Sequence, residues 1–250
     1  MQKTKYLNFE GITISSNDYG EFDKIYNILS ESEGVISCII KRVKKNNNQN
    51  YDSIDIFQKM EFKASVRENF WTIYEAKNKY SWFDSPINLA KLSSSNIIAE
   101  LCIKFNSINE NNAYIYHLVN ICLSLISKNN ILFSLIYFQI KILISEGIFP
   151  EINNCLSCNT KLTPDDYYLI FEIGGLSCSK CLTDDTKIKF LESEIRLIKY
   201  MSKIELSYNE SDQKTIGNVD INLYKKISEY IKYHTTQEIK SEKIFFTSLN

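Results

Sequence analysis

The sequence predicts an α+β fold in which a small β-barrel comes first and a helical bundle with an inserted four-cysteine module follows. Three observations predict it: short alternating segments crowd into residues 1–80, helical periodicity dominates residues 86–147, and two Cys-x-x-Cys pairs lie farther on. With 250 residues, 44% of them hydrophobic and 24% charged, the chain has the composition of a globular protein with a sizeable core.

Five short segments of the first region are predicted as strands. They are residues 7–14, which alternate and end near a turn-prone stretch at 15–18, and residues 23–32, 35–43, 54–66 and 70–79. So many short strands with few helical signals predict a small closed barrel of the oligonucleotide-binding (OB) type. An SH3-like barrel would produce much the same pattern.

The second region is predicted to be helical. Pro86 suits a first helical turn, and three apolar-periodic stretches follow at residues 89–105, 113–127 and 131–145. Few charges on so many residues indicate helices packed on several faces, as in a bundle. Two amphipathic stretches, 187–205 and 220–233, are predicted to return to it. The predicted domains are the barrel (1–80), the bundle (81–154), the cysteine module (155–185) and the C-terminal helices that complete the bundle (186–250).

The cysteine pairs have the spacing of a zinc ribbon, with residues 159–177 between them. Each Cys-x-x-Cys turn brings two thiolates to one ion, and residues 167–171 are predicted as a supporting strand. We therefore expect one structural Zn²⁺, bound by Cys155, Cys158, Cys178 and Cys181. Redox dithiols are the second interpretation, but they normally follow a strand in a βαβ unit. A closed four-cysteine site leaves no position for substrate, which favours a structural role over a zinc enzyme.

The net charge of −1 does not by itself indicate a nucleic-acid partner, but the charge is unevenly placed. Residues 38–50 hold four cations and no acid, and such a patch can bind phosphate in a neutral molecule. The predicted phosphate contacts are Lys41, Arg42, Lys44 and Lys45, with Lys24 and Arg67 as weaker candidates. A solvated charged loop is the alternative, and Lys24 and Arg67 could each simply pair with a nearby acid.

The aromatic residues of the strands and the two histidines are predicted to support the fold rather than to bind ligands. Phe57, Phe70, Trp71 and Tyr74 could stack on bases, but aromatics on strands more often belong to a core. His117 and His234 are predicted to be structural rather than catalytic or metal-binding. The sequence contains no phosphate loop, HExxH motif or dinucleotide fingerprint, so we predict no catalytic residues and no enzymatic activity.

Compartment and membrane expectations follow from the termini and the cysteines. The N-terminus lacks a signal pattern, and an odd total of seven cysteines fits a reducing cytoplasm. The most apolar stretch, residues 131–145, contains Gln139 and Lys141 and is too short to span a bilayer, so we expect a buried helix and no membrane partner.

Several motifs, in order along the chain, resemble the RecO family of bacterial recombination mediators over nearly the whole length. They are residues 10–12, 18–25, 33–36 and 41–45, Glu146-Gly147 ahead of the first cysteine pair, Gly174-Gly175 ahead of the second, Tyr233-His234, and Ile239-Lys240-Ser241. The resemblance implies an OB fold, a helical domain and a zinc module. It also implies binding to single- and double-stranded DNA, strand annealing, and work with RecR and the single-strand-binding protein to load RecA, in the cytoplasm at the nucleoid.

The chain departs from the family pattern in its basic segment. Arg42 stands where the family usually has glycine, and residues 46–50, Asn-Asn-Asn-Gln-Asn, replace the usual basic and serine residues. This departure implies modest phosphate binding. A rival hypothesis from another class therefore stays open, a zinc-stabilised protein-interaction scaffold that does not bind DNA directly.

Overall fold

The computed structural model describes residues 4–44, 51, 53–84, 86–105, 112–164, 166–182, 187–205 and 219–249. Its contacts divide the chain into two compact units, Met1–Ile131 with Ile239–Asn250, and Leu132–Glu238. Of the helices in the described part of the chain, none combines the length and apolar character needed to cross a membrane.

The first unit begins with a five-stranded antiparallel barrel that is closed by one parallel pairing, between the third and fifth strands. Its strand order is β1-β2-β3-β5-β4. The α+β fold with an N-terminal OB-type barrel is thereby confirmed. The strands are β1 (Lys5–Tyr19), β2 (Asp23–Ser30), β3 (Gly34–Ile40), β4 (Gln58–Arg67) and β5 (Phe70–Ser81).

The first strand is longer than its sequence pattern indicated. The predicted turn at residues 15–18 is wrong, because these residues continue the ladder with β2 after a register shift between Thr13 and Ser15. The chain reverses instead at residues 20–22, where Gly20 has a φ of 63°. Gly11 pairs with both β2 and β4, and a Cβ there would lie 2.4 Å from Ile28 Cγ2. The close approach of three strands therefore requires glycine.

The barrel interior is filled by alternate residues of its strands, as closure requires. Tyr26, Ile28, Met60, Phe62 and Ile73 are all almost completely buried in one cluster. The alternation of apolar and polar residues along the strands therefore determines which side chains fill the barrel interior.

Three helices belong to the same unit: α1 (Leu89–Lys104), α2 (Asn112–Ser127) and α6 (Ser241–Ser248). Trp82 follows β5 and donates from Nε1 to Ser124 Oγ of α2 at 3.0 Å. Glu100 of α1 accepts the backbone N–H groups of Lys240 and Ser241 and so caps the first turn of α6. The sequence pattern did not predict α6, an eight-residue helix held by this contact.

The second unit contains three helices of the described residues: α3 (Ile131–Ser145) apart from its first residue, α4 (Glu192–Lys203) and α5 (Ile221–Thr235). It also contains a small sheet of β6 (Tyr168–Ile170), β7 (Gly175–Ser177) and β8 (Lys187–Lys189) in the order β7-β6-β8. In α3, residues 133–143 are all buried. Apolar side chains from α3, α4, α5 and the sheet meet around one cavity, for example Leu143, Ile198, Ile227 and Leu176. This core joins the cysteine module to the helices.

The predicted helix at residues 187–205 begins only at Glu192. Residues 187–189 instead pair with β6, and α4 starts where Glu194 Oε2 accepts the N–H of Leu191 at 2.7 Å. The apolar periodicity correctly predicted a helix over residues 192–203. Residues 187–189 are a strand instead, because they form backbone hydrogen bonds with β6. The division into domains at residues 81, 155 and 186 stays a prediction.

Candidate metal centre and nucleic-acid interface

The first cysteine pair is held in a tight backbone turn. Asn159 N–H donates to Cys155 O at 2.8 Å, and Cys155 N–H donates to Thr160 O at 2.9 Å. Asn159 adopts a φ of 56°, in the left-handed region that Asn tolerates better than most residues. The turn brings the two side chains of the pair to the same side.

The second pair follows the β6–β7 hairpin, which reverses at Gly174 (φ 67°). Cys178 ends the extended segment, and a single 3-10 turn over Ser179–Cys181 brings Cys181 back, with Cys181 N–H donating to Cys178 O at 3.0 Å. The predicted strand at 167–171 is present as β6, Tyr168–Ile170, and carries this hairpin.

The four predicted ligands meet at one point. Their sulfur atoms all lie within 4.8 Å of one another, and Cys158 Sγ is 3.8 Å from Cys178 Sγ. A tetrahedral zinc site with Zn–S bonds of about 2.3 Å would separate its sulfurs by about 3.8 Å. Cys155 and Cys178 are buried, whereas Cys158 is exposed and Cys181 is half-buried. The cluster could therefore hold a metal ion.

Hydrogen bonds within the cluster favour ionisation at one end of it. Burial raises the pKa of Cys155, but hydrogen bonds from the backbone of Cys178 and Cys158 outweigh it and bring that pKa down to about 6. The side-chain contact with Cys178 raises the pKa of Cys181 to about 12. Four adjacent thiols thus resist full ionisation by themselves, and a divalent cation would supply the charge that keeps all four as thiolates.

Asp166 supports the second turn from outside. Its carboxylate accepts Thr163 Oγ1 at 2.6 Å, Ser179 N–H at 3.0 Å and Ser179 Oγ at 2.8 Å. The hydrogen bond from Thr163, followed by those from Ser179, holds the pKa of Asp166 well below its usual range. Sequence reasoning missed this residue because its partner is 13 positions away, across a hairpin.

The other three cysteines take no part in this cluster. Cys38, Cys102 and Cys122 are each buried in the first unit. Burial raises the pKa of Cys38 to about 12 and that of Cys102 above its ordinary range. Cys38 and Cys102 therefore remain protonated, and all three buried cysteines behave as small apolar core residues.

Four of the predicted phosphate-binding residues, Lys24, Lys41, Arg42 and Lys44, lie on or beside the β1–β2 hairpin. We call residues 41–44, which follow β3, the basic turn. Lys44 N–H donates to Phe22 O at 3.1 Å, and Lys24 of β2 lies opposite Ile40, the last residue of β3. The structure thus brings Lys24 next to the basic turn.

Two of these lysines share one carboxylate. Asp18 Oδ2 lies 3.0 Å from Lys44 Nζ, and Asp18 Oδ1 lies 4.0 Å from Lys24 Nζ. Asp18 and Lys24 are also direct partners in the β1–β2 ladder. Asp18 therefore offsets part of the positive charge that the sequence predicted for DNA.

The remaining candidates are placed differently. Lys41 and Arg42 are exposed, and Arg42 N–H donates to Asp23 Oδ1 at 2.7 Å, with a φ of 57° at Arg42. Arg67 ends β4 and pairs with Phe70, ahead of the point where β5 joins β3. It therefore lies toward the other end of β3 from Lys41. Lys45 lies outside the described residues.

The four aromatic residues considered for stacking divide into two pairs. Phe57 is buried, and Trp71 packs against the barrel core and edge-on to Phe9 at 5.5 Å between ring centroids. Phe70 and Tyr74 are 61% and 39% exposed, so a core position is wrong for them. Both lie in the first half of β5, and the alternation of side chains along the strand places them on the outer surface.

The two histidines contact neighbouring side chains. His117 Nε2 lies 3.1 Å from Glu31 Oε1 at the surface. His234 lies against Tyr230, with ring centroids 4.5 Å apart, and burial lowers its pKa. Neither belongs to the cysteine cluster, whose four sulfurs would suffice for a tetrahedral metal site.

A closed OB-type barrel, a helical region that follows it and a four-cysteine cluster define an α+β protein with a candidate metal centre. The chain belongs to the RecO family. The model for the N-terminal domain, "Recombination protein O N terminal", matches residues 1–82, and the model "Recombination protein O C terminal" matches residues 88–243. This confirms the family resemblance and a role in recombinational DNA repair.

Curated relatives called "DNA repair protein RecO" align over most of the chain. The protein of Desulforamulus reducens is 24% identical over 238 residues, covering 95% of this chain and 93% of its own length. That of Clostridium perfringens is 28% identical over 173 residues (68% and 70%). That of a Thermoanaerobacter species is 24% identical over 241 residues (95% and 96%).

Proposed function

We propose that this protein is a DNA-binding recombination mediator that binds single- and double-stranded DNA and anneals complementary strands. It works with RecR to help load RecA onto strands coated by the single-strand-binding protein. The observation that carries the proposal is the match of both halves of the chain to the RecO family, together with a barrel that presents a basic turn. Acting on chromosomal DNA, it would reside in the cytoplasm at the nucleoid.

The barrel supports DNA binding through its geometry and charge. OB folds bind oligonucleotides along the β2–β3 face and the β1–β2 and β4–β5 loops. The basic turn follows β3 and is hydrogen-bonded to the β1–β2 hairpin. Exposed Lys41 and Arg42 are suited to contact phosphates, and these contacts would not distinguish sequences. Lys24, Lys44, Lys45 and Arg67 remain the other proposed contacts. Because Asp18 engages Lys24 and Lys44, the proposed affinity is modest.

The cysteine cluster supports one structural Zn²⁺, bound by Cys155, Cys158, Cys178 and Cys181. Four sulfur donors favour zinc over hard cations such as Mg²⁺ or Ca²⁺. The ion would cross-link the two turns and fix the sheet that packs on α3, α4 and α5. A four-sulfur shell leaves no open coordination position, so we propose that the ion takes no part in catalysis. Because the sequence contains no recognisable catalytic motif, we also propose that the protein is not an enzyme.

An annealing assay tests this function. Complementary oligonucleotides coated with single-strand-binding protein are mixed with and without the protein, and RecR is added in a parallel series. The proposal predicts faster annealing and salt-sensitive binding of the naked strands. If the protein binds RecR but binds no DNA even at low salt, the zinc-stabilised interaction scaffold is favoured instead.

A further inference from the structure

Two aromatic side chains are exposed at the β1–β2 hairpin. Tyr19, the last residue of β1, is 54% exposed, and Phe22, in the reversal that follows, is 37% exposed. Both lie on the same hairpin as Lys24, and within a few residues of Asp18 and Asp23, the two acids that contact the basic turn.

Backbone contacts place the residues that carry these rings next to the basic turn. The carbonyl of Phe22 accepts the N–H of Lys44 at 3.1 Å. Tyr19 lies opposite Asp23 in the ladder, and the Asp23 carboxylate accepts the N–H of Arg42 at 2.7 Å. The backbone that carries the two rings therefore lies beside the basic turn, at one edge of the barrel.

The charge at this edge is nearly balanced. Four described cations (Lys24, Lys41, Arg42, Lys44) stand beside three acids (Asp18, Glu21, Asp23). Phosphate attraction alone would be weak and lost at moderate salt. A ligand that offers flat π-faces as well as phosphates gains from both kinds of group. Single-stranded nucleic acid offers both, whereas a duplex keeps its base faces inside its own stack.

We propose that Tyr19 and Phe22 form a stacking platform for the bases of single-stranded nucleic acid, with the basic turn holding the phosphates alongside. This inference rests on the proposed DNA-binding function and deepens it. Stacking is tolerant of sequence because every base has a π-face, so the platform provides a preference for single strands without base readout. The cations set the dependence on salt, and the rings set the preference for bases.

Three probes separate the two contributions: a dT oligonucleotide of about 15 nucleotides, an abasic oligomer of the same length, and a duplex. Binding is followed by fluorescence anisotropy. The parent should bind dT more tightly than the abasic oligomer. Tyr19→Leu and Phe22→Leu keep an apolar side chain but remove the ring, and each should weaken dT binding about tenfold. Affinity for the abasic oligomer and the duplex, and the salt slope on dT, should stay unchanged.

Tyr6→Leu is the matched control. Tyr6 is 70% exposed on the same strand but lies opposite Ser65 at the far end, and it should not affect dT binding. If the double variant Tyr19→Leu/Phe22→Leu keeps the parent's preference for dT over the abasic oligomer, the platform is refuted while DNA binding stands. A parent that shows no salt-dependent DNA binding refutes the proposed function itself. Tyr19→Trp and Phe22→Trp retain a π-face, so loss of dT binding in these variants also counts against stacking.

Discussion

At the scale of single residues, Asp18 controls how much positive charge the β1–β2 hairpin presents. It lies within 4.0 Å of both Lys24 and Lys44, and each of these pairs is at least partly exposed to solvent. Asp18→Asn should release both lysines for phosphate contact. Single-stranded DNA should then bind several-fold more tightly, with a log–log salt slope steeper by about 0.7 for each new contact.

The control for Asp18→Asn is Glu10→Gln. Glu10 is on the same strand and pairs with Lys59 at 3.2 Å, away from the basic turn. Glu10→Gln removes the same charge as Asp18→Asn, and the salt slope of DNA binding should stay unchanged. Equal gains in affinity from both variants would mean that only net charge matters and that Asp18 does not restrain the lysines.

At this scale a short motif was enough to predict that the four cysteines lie together, whereas contacts with distant partners could not be predicted. The four cysteines were identified by spacing, because each pair closes within one turn. The pairing of Lys44 with Asp18 could not be foreseen, since it depends on the register between β1, β2 and the segment after β3. The exposure of Phe70 and Tyr74 likewise depends on which face of β5 meets the core.

At the scale of elements, the cysteine module should depend on its metal. Cys158 is exposed, so Cys158→Ser would cost little stability if it were only a surface thiol. As a ligand, its loss should reduce zinc from one ion per chain to substoichiometric levels and lower Tm by several degrees. Metal analysis and thermal unfolding measure both quantities. Ser157 is the exposed neighbour of Cys158, and the control variant Ser157→Ala should keep one zinc and the Tm of the parent. If the parent protein contains no zinc, the assignment of the four cysteines as a zinc site is wrong.

The last helix should depend on a carboxylate from another helix. Glu100 of α1 accepts N–H groups at the start of α6, which has no side-chain cap of its own. Glu100→Ala should destabilise the first unit by about 1 to 2 kcal/mol, the usual effect of losing a helix cap. Urea unfolding measures the change. Glu238→Ala, an exposed acid just before α6, is the control, and equal effects of the two substitutions would rule out a specific cap.

Element prediction worked best where periodicity was long and uninterrupted. Helix α3 was predicted at its observed bounds because 15 residues follow one apolar pattern. Strand β8 was wrongly predicted as the start of a helix. Its three residues are too few to show the alternation of a strand, and the helical pattern begins directly after them. Helix α6 escaped prediction because its start is stabilised by Glu100, a residue remote in sequence.

At the scale of the whole molecule, we propose that the barrel binds DNA through phosphates at its basic turn. The most direct test is the salt dependence of binding to single-stranded DNA. Each phosphate neutralised on a single strand contributes about −0.7 to the log–log slope. Changing Lys41, Arg42, Lys44 and Lys45 together to Ala should therefore flatten the slope by about 2 to 3, and should weaken all sequences alike.

A second set of four alanines, at Lys59, Lys63, Lys77 and Lys79, removes the same charge from β4 and β5 of the same barrel. Its slope should match that of the parent, and both variants should keep one zinc per chain. A parental slope and parental annealing rate in the basic-turn variant would contradict this proposal and would place the DNA site elsewhere on the molecule.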